Sequence, residues 1–335
     1  MKLSCLGEFG LIERVGRTAL KGRDTYLGIG DDAAWVRTRS GSCLLTTDLL
    51  IEKVHFELKW TSLYALGYKT LAVNMSDIAA MGGKPAYLLI SLGIPLKFDS
   101  DDVEEFYRGI RTLAIRGGVA LVGGDTSVAK SFFISACLVG EVPHQPVTRG
   151  GAHIGDDIYV TGTLGDAALG LKLLKRKSPV LKQPAAKFLL SRLHFPTARV
   201  EAGAALAREK IARAMIDVSD GLIQDLGHIC KASRIGAIVA EEQLPLSAAY
   251  CSLAGYDRGK LALTGGEDYE LLFCARRRDR SRIENLKKQF DVPVSRIGRC
   301  VRASDGLTVL SRKGHRIIIQ NTGHDHFKHR LMRGD

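Results

Sequence analysis

The chain has 335 residues, of which 45% are hydrophobic and 25% are charged, and its formal net charge is +12. This composition is that of a globular protein with a sizeable core, and it excludes the disordered and fibrous classes. A single hydrophobic core usually stops growing when a chain reaches about 250–300 residues. This chain is longer, so its length predicts two domains. Most of the positive charge is local, because residues 276–335 hold 16 Lys and Arg against 6 Asp and Glu.

The sequence shows neither a membrane span nor a secretion signal. It contains no run of about 18 apolar residues, and residues 1–9 lack a long apolar stretch and a cleavage site. The seven cysteines form no C-x-x-C pair, which favours reduced thiols. We therefore expect a cytoplasmic protein without a membrane partner.

The first half of the chain predicts two strands and two helices. Residues 43–48 (CLLTTD) are a short apolar run that ends in polar side chains, which is typical of a strand. Apolar spacing predicts helices over 62–81 and 101–116, and a pair of glycines ends each of them. Residues 119–122 predict a buried strand that leads into the glycine-rich segment 123–127 (GGDTS).

The second half begins after a segment rich in proline and glycine, PHQPVTRGGAHIG, at 143–155. We place the domain junction there, with an N-terminal domain at 1–147 and a C-terminal domain at 148–335. The elements predicted beyond it are a strand at 158–161, a helix from Asp166, a strand at 214–218, a helix capped by Ser219, a strand at 261–263, the turn 264–268 (TGGED) and a strand at 269–273.

Acidic residues recur where an apolar segment meets a turn. They are Asp31, Asp32, Asp48, Asp125, Asp217 and Asp220, and Asp77 joins them from a polar stripe on the first helix. Each alone is ordinary turn or capping chemistry, but capping explains the repetition at strand ends poorly. Clustered carboxylates and hydroxyls suit Mg²⁺, which prefers oxygen ligands and binds substrate phosphates. The pattern therefore predicts several Mg²⁺ ions and a phosphorylated substrate.

The common nucleotide-binding motifs are missing from the chain. It has no G-x-x-x-x-G-K-[ST] loop and no H-R-D or D-F-G set. If the phosphorylated substrate is ATP, the missing motifs indicate a different ATP-binding fold.

Ten motifs distributed along the chain point to one such fold. They are GEFGLI (7–12), GIGDDAA (28–34), TTD (46–48), VHF (54–56), LAVNMSDIAAMGG (71–83), GGDTS (123–127), TRGGAHIGD (148–156), YVTGTLGDAALGL (159–171), IDVSDGLIQDLGHI (216–229) and TGGEDYELLF (264–273). With these motifs the chain resembles the thiamine-monophosphate kinases of the aminoimidazole ribonucleotide synthetase superfamily along almost its full length.

The resemblance implies a fold and an activity. The fold is an N-terminal α/β domain whose mixed sheet pairs with its twin in a homodimer, an α+β C-terminal domain, and an active site between the two. The activity is ATP-dependent phosphorylation of thiamine monophosphate to thiamine diphosphate, the final step of thiamine diphosphate biosynthesis. We expect Mg²⁺-assisted in-line transfer with no catalytic nucleophile or general base, because a phosphate monoester is already largely ionised near neutral pH.

Site residues follow from the resemblance, motif by motif. The implied metal ligands are Asp32, Thr46, Thr47, Asp48, Asp77, Asp125, Asp217 and Asp220. The implied ATP contacts are Tyr107, Gly124, Asp125, Arg149 and Ser219. The implied contacts to thiamine phosphate are His55, Glu267 and Phe327.

Four of these residues have a purely structural alternative. His55 could be a half-buried strand histidine, and Tyr107 could pack at the margin of the core. Arg149 could form a salt bridge at the domain junction, although its guanidinium also suits a bidentate phosphate contact. Phe327 could pack in a terminal segment.

Two alternatives remain open for the whole function. One is an ATP-dependent enzyme like aminoimidazole ribonucleotide synthetase itself. The other, from a different class, is a nucleic-acid-binding protein that uses the basic C-terminal region. The arginines of residues 276–282 have no interleaved aromatics, which is more typical of a solvated helix start than of a nucleic-acid surface, so we expect no nucleic-acid partner.

Overall fold

The N-terminal domain is built on a six-stranded sheet. The computed structural model describes residues 3–18, 22–255, 259–290, 292–319 and 323. In chain order the first elements are α1 (Leu3–Thr18), β1 (Thr25–Leu27), β2 (Ala34–Thr38), β3 (Gly41–Ile51), α2 (Leu63–Ala80), β4 (Lys84–Ile94), α3 (Ser100–Gly117), β5 (Ala120–Val128) and β6 (Phe133–Glu141). The strand order is β1-β2-β3-β6-β4-β5, and only the β4–β5 pair is parallel.

The C-terminal domain is built on a seven-stranded sheet. Its elements are β7 (Asp157–Thr161), α4 (Asp166–Lys175), α5 (Pro184–His194), α6 (Val200–Arg208), β8 (Ala212–Asp217), α7 (Leu222–Ser233), β9 (Gly236–Ala240), α8 (Ala248–Leu253), α9 (Lys260–Thr264), β10 (Leu271–Ala275), α10 (Arg280–Lys287), β11 (Val294–Val301), β12 (Leu307–Leu310) and β13 (Arg316–Ile317). The order is β13-β12-β9-β11-β7-β10-β8, antiparallel except for β12 and β9.

Helices cover one face of the N-terminal sheet. Ser62 caps α2 by accepting a hydrogen bond from the Ala65 N–H, and Asp99 forms a capping box at the start of α3. The two helices approach so closely that a Cβ on Gly67 would lie 1.9 Å from the Phe106 carbonyl oxygen. Glycine is therefore required there, and α2 is held firmly between α3 and the sheet.

Helix α2 also contacts the C-terminal sheet. Ala79 and Ala80 pack in a buried cluster with Met215 of β8 and Phe273 of β10. On the other face of that sheet, Ile216 and its neighbours pack against α7. Because α2 lies between the two sheets, a polar residue on it can face groups from both domains.

The fold confirms the predicted two domains, each with a mixed sheet and helices. None of the described helices is long and apolar enough to cross a membrane. The junction between residues 147 and 148 stays a prediction.

One predicted element and two predicted details were wrong. Residues 261–263 belong to the helix α9 and not to a strand, because a short apolar run does not by itself distinguish the two. Ser219 does not cap α7, whose N-cap is Gly221. The strand predicted as buried at 119–122 is the exposed edge strand β5, which continues through the GGDTS segment to Val128.

Candidate active site

Three carboxylates from three elements meet between the domains. Asp32 lies in the turn before β2, Asp77 on α2 and Asp217 at the end of β8, and each offers an oxygen within 4.8 Å of the others. Asp32 and Asp217 are buried, and Asp77 is half-buried. The sequence pattern thus pointed to residues that do come together, although they are 45 and 140 positions apart.

Hydroxyl groups orient two of these carboxylates. Thr46 donates from Oγ1 to Asp77 Oδ2 at 2.5 Å, and Ser76 donates from Oγ to Asp217 Oδ2 at 2.6 Å. Asp48 lies two residues beyond Thr46 on β3 and therefore on the same sheet face. Thr46 and Asp48 thus border the cluster formed by Asp32, Asp77 and Asp217.

Arg149 fixes the third carboxylate. It donates from Nη2 to Asp32 Oδ1 at 2.8 Å, and its backbone N–H donates to Asp31 Oδ2 at 3.0 Å. Asp32 Oδ2 is buried and has no hydrogen-bond partner among the described residues. A buried carboxylate oxygen without a donor is costly unless a cation binds it. The all-oxygen donor set suits Mg²⁺, so these residues fit that metal.

Burial shifts the protonation of the cluster. It raises the pKa of Asp217 to about 8, with the Asp32 charge adding to the effect. It raises the pKa of Asp77 well above the ordinary range, and the charge of Asp48 contributes. The pKa of Asp48 itself is raised to about 6 by burial. Full ionisation of these groups at neutral pH requires a positive charge among them, which a divalent cation supplies.

The turn after β8 is organised by a residue that the sequence reasoning missed. Asp225 Oδ2 accepts hydrogen bonds from the backbone N–H groups of Ser219, Asp220 and Gly221 at 3.0–3.2 Å. These bonds hold Ser219 and Asp220 beside Asp217. An acid in the first turn of a predicted helix was the available signal, and here it stabilises the preceding turn.

A second polar pair joins the N-terminal half of α2 to the TGGED turn. Lys69 Nζ donates to Glu267 Oε1 at 2.6 Å, and both side chains are more than two-thirds buried. Lys69 precedes Asp77 by two helical turns, which separates them by about 12 Å. Glu267 was predicted, whereas Lys69 was not, because only the fold brings it to the TGGED turn.

His55 lies half-buried in the turn after β3, so the structural alternative of a strand histidine is wrong about the strand. Its Nδ1 accepts a hydrogen bond from the Ile51 backbone N–H at 3.0 Å. A neutral imidazole that accepts at Nδ1 carries its proton on Nε2, where it is a donor.

Other predicted residues lie apart from the cluster. Strand register aligns Asp48 with Gly124 across β6 and β4, three strand spacings or about 14 Å away. Asp125 is exposed and accepts from the Thr126 N–H at 2.9 Å. Thr47 donates to the Ala136 carbonyl oxygen at 2.9 Å. Half-buried Tyr107 packs on Phe106, and Phe327 lies outside the described residues.

Both halves of the chain match known domain families. Residues 30–142 match the N-terminal domain of AIR synthase related proteins, and residues 153–309 match the C-terminal domain of the same proteins.

Relatives cover nearly the whole chain. The thiamine-monophosphate kinase of Salmonella typhimurium is 39% identical over 327 residues, which are 96% of this chain and 98% of that protein. The Aquifex aeolicus kinase is 41% identical over 276 residues, which are 82% and 87% of the two chains.

Solved structures give the same result. AaThiL complexed with AMPPCP and TMP superposes with a TM-score of 0.83 at 36% identity, and the match covers 97% of this chain and 99% of that chain. The thiamine-monophosphate kinase of Stenotrophomonas maltophilia K279a gives a TM-score of 0.77 at 40% identity, covering 92% and 98%. These likenesses confirm the resemblance inferred from the motifs.

Proposed function

Because the chain belongs to the thiamine-monophosphate kinase family of AIR synthase related proteins, we propose that it phosphorylates thiamine monophosphate with ATP to give thiamine diphosphate. The observation that carries this proposal is the carboxylate cluster of Asp32, Asp77 and Asp217 between the domains. A relative of 36% identity has been solved with AMPPCP, an ATP analogue, and TMP, which supports the choice of the two substrates.

The proposed cofactor is Mg²⁺, with several ions bound. Asp32, Asp77 and Asp217 would hold it directly, Thr46 and Asp48 of β3 border the same space, and Asp220 follows Asp217 in the turn after β8. When bound, Mg²⁺ neutralises the phosphates and stabilises charge that develops on the transferred group. The chain's own task is to keep these carboxylates ionised, oriented and close together.

Arg149 is proposed to contact a phosphate. Its Nη2 is already bonded to Asp32, but its Nε is buried and has no hydrogen-bond partner among the described residues. A phosphate oxygen would satisfy that donor. The salt-bridge alternative and the phosphate contact are thus compatible, because one guanidinium has donors for both.

Positioning replaces acid–base catalysis in this proposal. The acceptor phosphate is largely ionised near neutral pH, so it needs alignment more than deprotonation. His55 would donate from Nε2 to that phosphate, and Glu267 would contact the thiamine rings. The separation of about 12 Å between Lys69 and Asp77 along α2 suits an extended substrate with its phosphate at the metal end. The roles of Tyr107, Ser219 and Phe327 stay predictions.

A homodimer is part of the proposal. The face of the N-terminal sheet opposite α2 carries Leu45, Leu49, Tyr87, Leu89 and Phe133, each 36–50% exposed. A contiguous apolar sheet face of this kind marks an interaction site. Asp125 aligns with Ser91 on that face, so its contribution to the ATP site would depend on a second copy. The cytoplasmic location also stays a prediction.

The direct test is an assay of ADP release with ATP, Mg²⁺ and either thiamine monophosphate or free thiamine, with the product identified by chromatography. We expect ADP and thiamine diphosphate in equal amounts, and only with the monophosphate. Turnover with neither acceptor would instead indicate another ATP-dependent reaction of the superfamily.

A further inference from the structure

A groove rich in arginine lies on the C-terminal sheet, away from the carboxylate cluster. It forms an open pocket of about 620 Å³ beside β7, β9, β11 and the start of α10. Its charged lining residues are Arg277, Arg280, Arg296, Arg299, Arg302, Asp157 and Asp305. Among the described lining residues, five guanidiniums against two carboxylates leave three positive charges at the groove.

The groove and the carboxylate cluster lie at opposite ends of the sheet. Ala275 of β10 pairs with both Asp157 and Ala212, so these two residues are level with each other. Asp217 lies five residues farther along β8 than Ala212, about 17 Å away in an extended strand. A ligand of the groove would therefore not occupy the proposed kinase site.

Buried Asp157 organises two of the arginines. It is 3% exposed, and Arg280 donates to its two oxygens from Nε and Nη2 at 2.6 and 2.7 Å. Arg296 Nη1 lies 3.5 Å from the same carboxylate. Because one carboxylate serves two guanidiniums, the pair keeps one uncompensated positive charge and is held in a defined position. The groove is thus more than a set of mobile surface side chains.

Two further arginines have no acidic partner among the described residues. Arg277 and Arg299 are exposed, and neither lies within 4 Å of a carboxylate in the described parts of the chain. Arg302 is paired only loosely with Asp305, at 3.8 Å. Guanidiniums that converge on a concave surface without counter-charges are suited to phosphate, which they bind with two parallel hydrogen bonds.

The remaining lining selects the type of anion. Ile154, Ile238, Val301 and Leu310 supply an apolar wall, and none of the described residues that line the groove is aromatic. The volume falls within the range of small-molecule sites, about 300–1,000 Å³. Single-stranded nucleic acids are usually bound by aromatic stacking, for which the described part of the lining offers no ring.

We propose that this groove is a second anion site, which binds a small molecule carrying two or three linked phosphates next to an apolar group. Nucleotides and phosphorylated cofactors share this chemistry. The site is independent of the kinase proposal, since it uses none of the residues of the carboxylate cluster.

The test uses inorganic tripolyphosphate as the probe, with the full chain in EDTA, so that no metal ion can bring the probe to the acidic cluster. Binding is measured by isothermal titration calorimetry for the wild type and for Arg277→Ser/Arg299→Ser. The matched control is Arg278→Ser/Arg312→Ser, which removes two exposed arginines that do not line the groove. Thermal melting shows that each variant is folded.

We expect about one probe per chain, a Kd raised about tenfold or more in the groove variant, and a change below about twofold in the control. Asp217→Asn should bind as the wild type does. An equal loss of affinity for tripolyphosphate in both double variants would show that binding depends only on net charge, and it would overturn the proposal. Stronger binding of a single-stranded oligonucleotide that displaces tripolyphosphate would also overturn it, in favour of a nucleic-acid surface.

Discussion

The two ends of the C-terminal sheet gather charges of opposite sign in different ways. At the Asp217 end, burial raises the pKa values of Asp217 and Asp77 above the ordinary range, and the charges of neighbouring carboxylates add to the shift. At the Asp157 end, the arginines stay largely exposed, and one buried carboxylate anchors two of them. Buried like charges need a counter-ion within the fold, whereas exposed ones are screened by water and can await a ligand.

The largest effect is expected from removing a carboxylate at the acidic end of the C-terminal sheet, which is the end that carries Asp217. Asp217→Asn removes one charge from the cluster, and we expect kcat/KM for thiamine monophosphate to fall at least about 1,000-fold, or about 4 kcal/mol. The control is Asp305→Asn at the arginine groove, which should change kcat/KM less than about twofold. Steady-state kinetics of both variants measures kcat/KM. Near-normal activity of Asp217→Asn would remove Asp217 from the proposed metal ligands.

The next effect is expected at the face of the N-terminal sheet opposite α2. Asp125 lies on that face and not at the acidic end, so its proposed contact to ATP depends on a dimer. We expect light scattering to give the wild type about twice the 36.4 kDa of one chain. Leu49→Glu/Leu89→Glu places two charges on this apolar face and should give single chains. Leu96→Glu, at a position already 89% exposed, should leave the mass unchanged. A monomeric wild type would contradict the proposed dimer.

A smaller effect is expected from breaking the Lys69–Glu267 pair, in which Lys69 lies about 12 Å from Asp77 along α2. Lys69→Met leaves Glu267 without its partner, so we expect KM for thiamine monophosphate to rise about tenfold while kcat changes less. Lys187→Met, at an exposed position on α5, is the matched control. If kcat fell while KM stayed constant, Lys69 would belong with the reacting phosphates and not with the distal part of the substrate.

The mildest perturbation is a change of pH without metal. The pKa values of Asp217 and Asp48 are raised to about 8 and about 6, so these carboxyls hold protons in the folded protein at pH values where the unfolded chain has lost them. Their contribution to stability is therefore lost as pH rises from about 4 to about 8.

We accordingly expect Tm in EDTA to fall between pH 5 and pH 8. Added Mg²⁺ should raise Tm by a few degrees more at pH 8 than at pH 5, because metal binding requires the ionised ligands. Asp217→Asn should show a weaker dependence on pH in EDTA. Scanning calorimetry measures all three quantities, and an equal Mg²⁺ shift at both pH values would argue against a metal at the cluster.

Local sequence signals predicted much of the fold and the acidic end of the site. Apolar spacing and terminal glycines marked α2 and α3, and acids at strand ends marked Asp32 and Asp217, because these features depend on neighbours in the chain. The Lys69–Glu267 pair could not be predicted in this way, since its members are 198 positions apart.

Two other misses have the same physical origin. The residues of the arginine groove come from separate strands and loops, so the sequence showed only a basic segment near α10. Leu263 is nearly fully buried, and its short apolar run gives no period that distinguishes a buried helix from a strand. Tertiary packing decided both cases.

The central claim is that phosphoryl transfer occurs at the acidic end of the sheet and not at the basic end. The most direct measurement is the amount of thiamine diphosphate formed from ATP, Mg²⁺ and thiamine monophosphate by the wild type, Asp217→Asn and Arg277→Ser/Arg299→Ser. We predict near-equal product from the wild type and the groove variant and almost none from Asp217→Asn. Full product from Asp217→Asn, or no product from the wild type, would contradict the account.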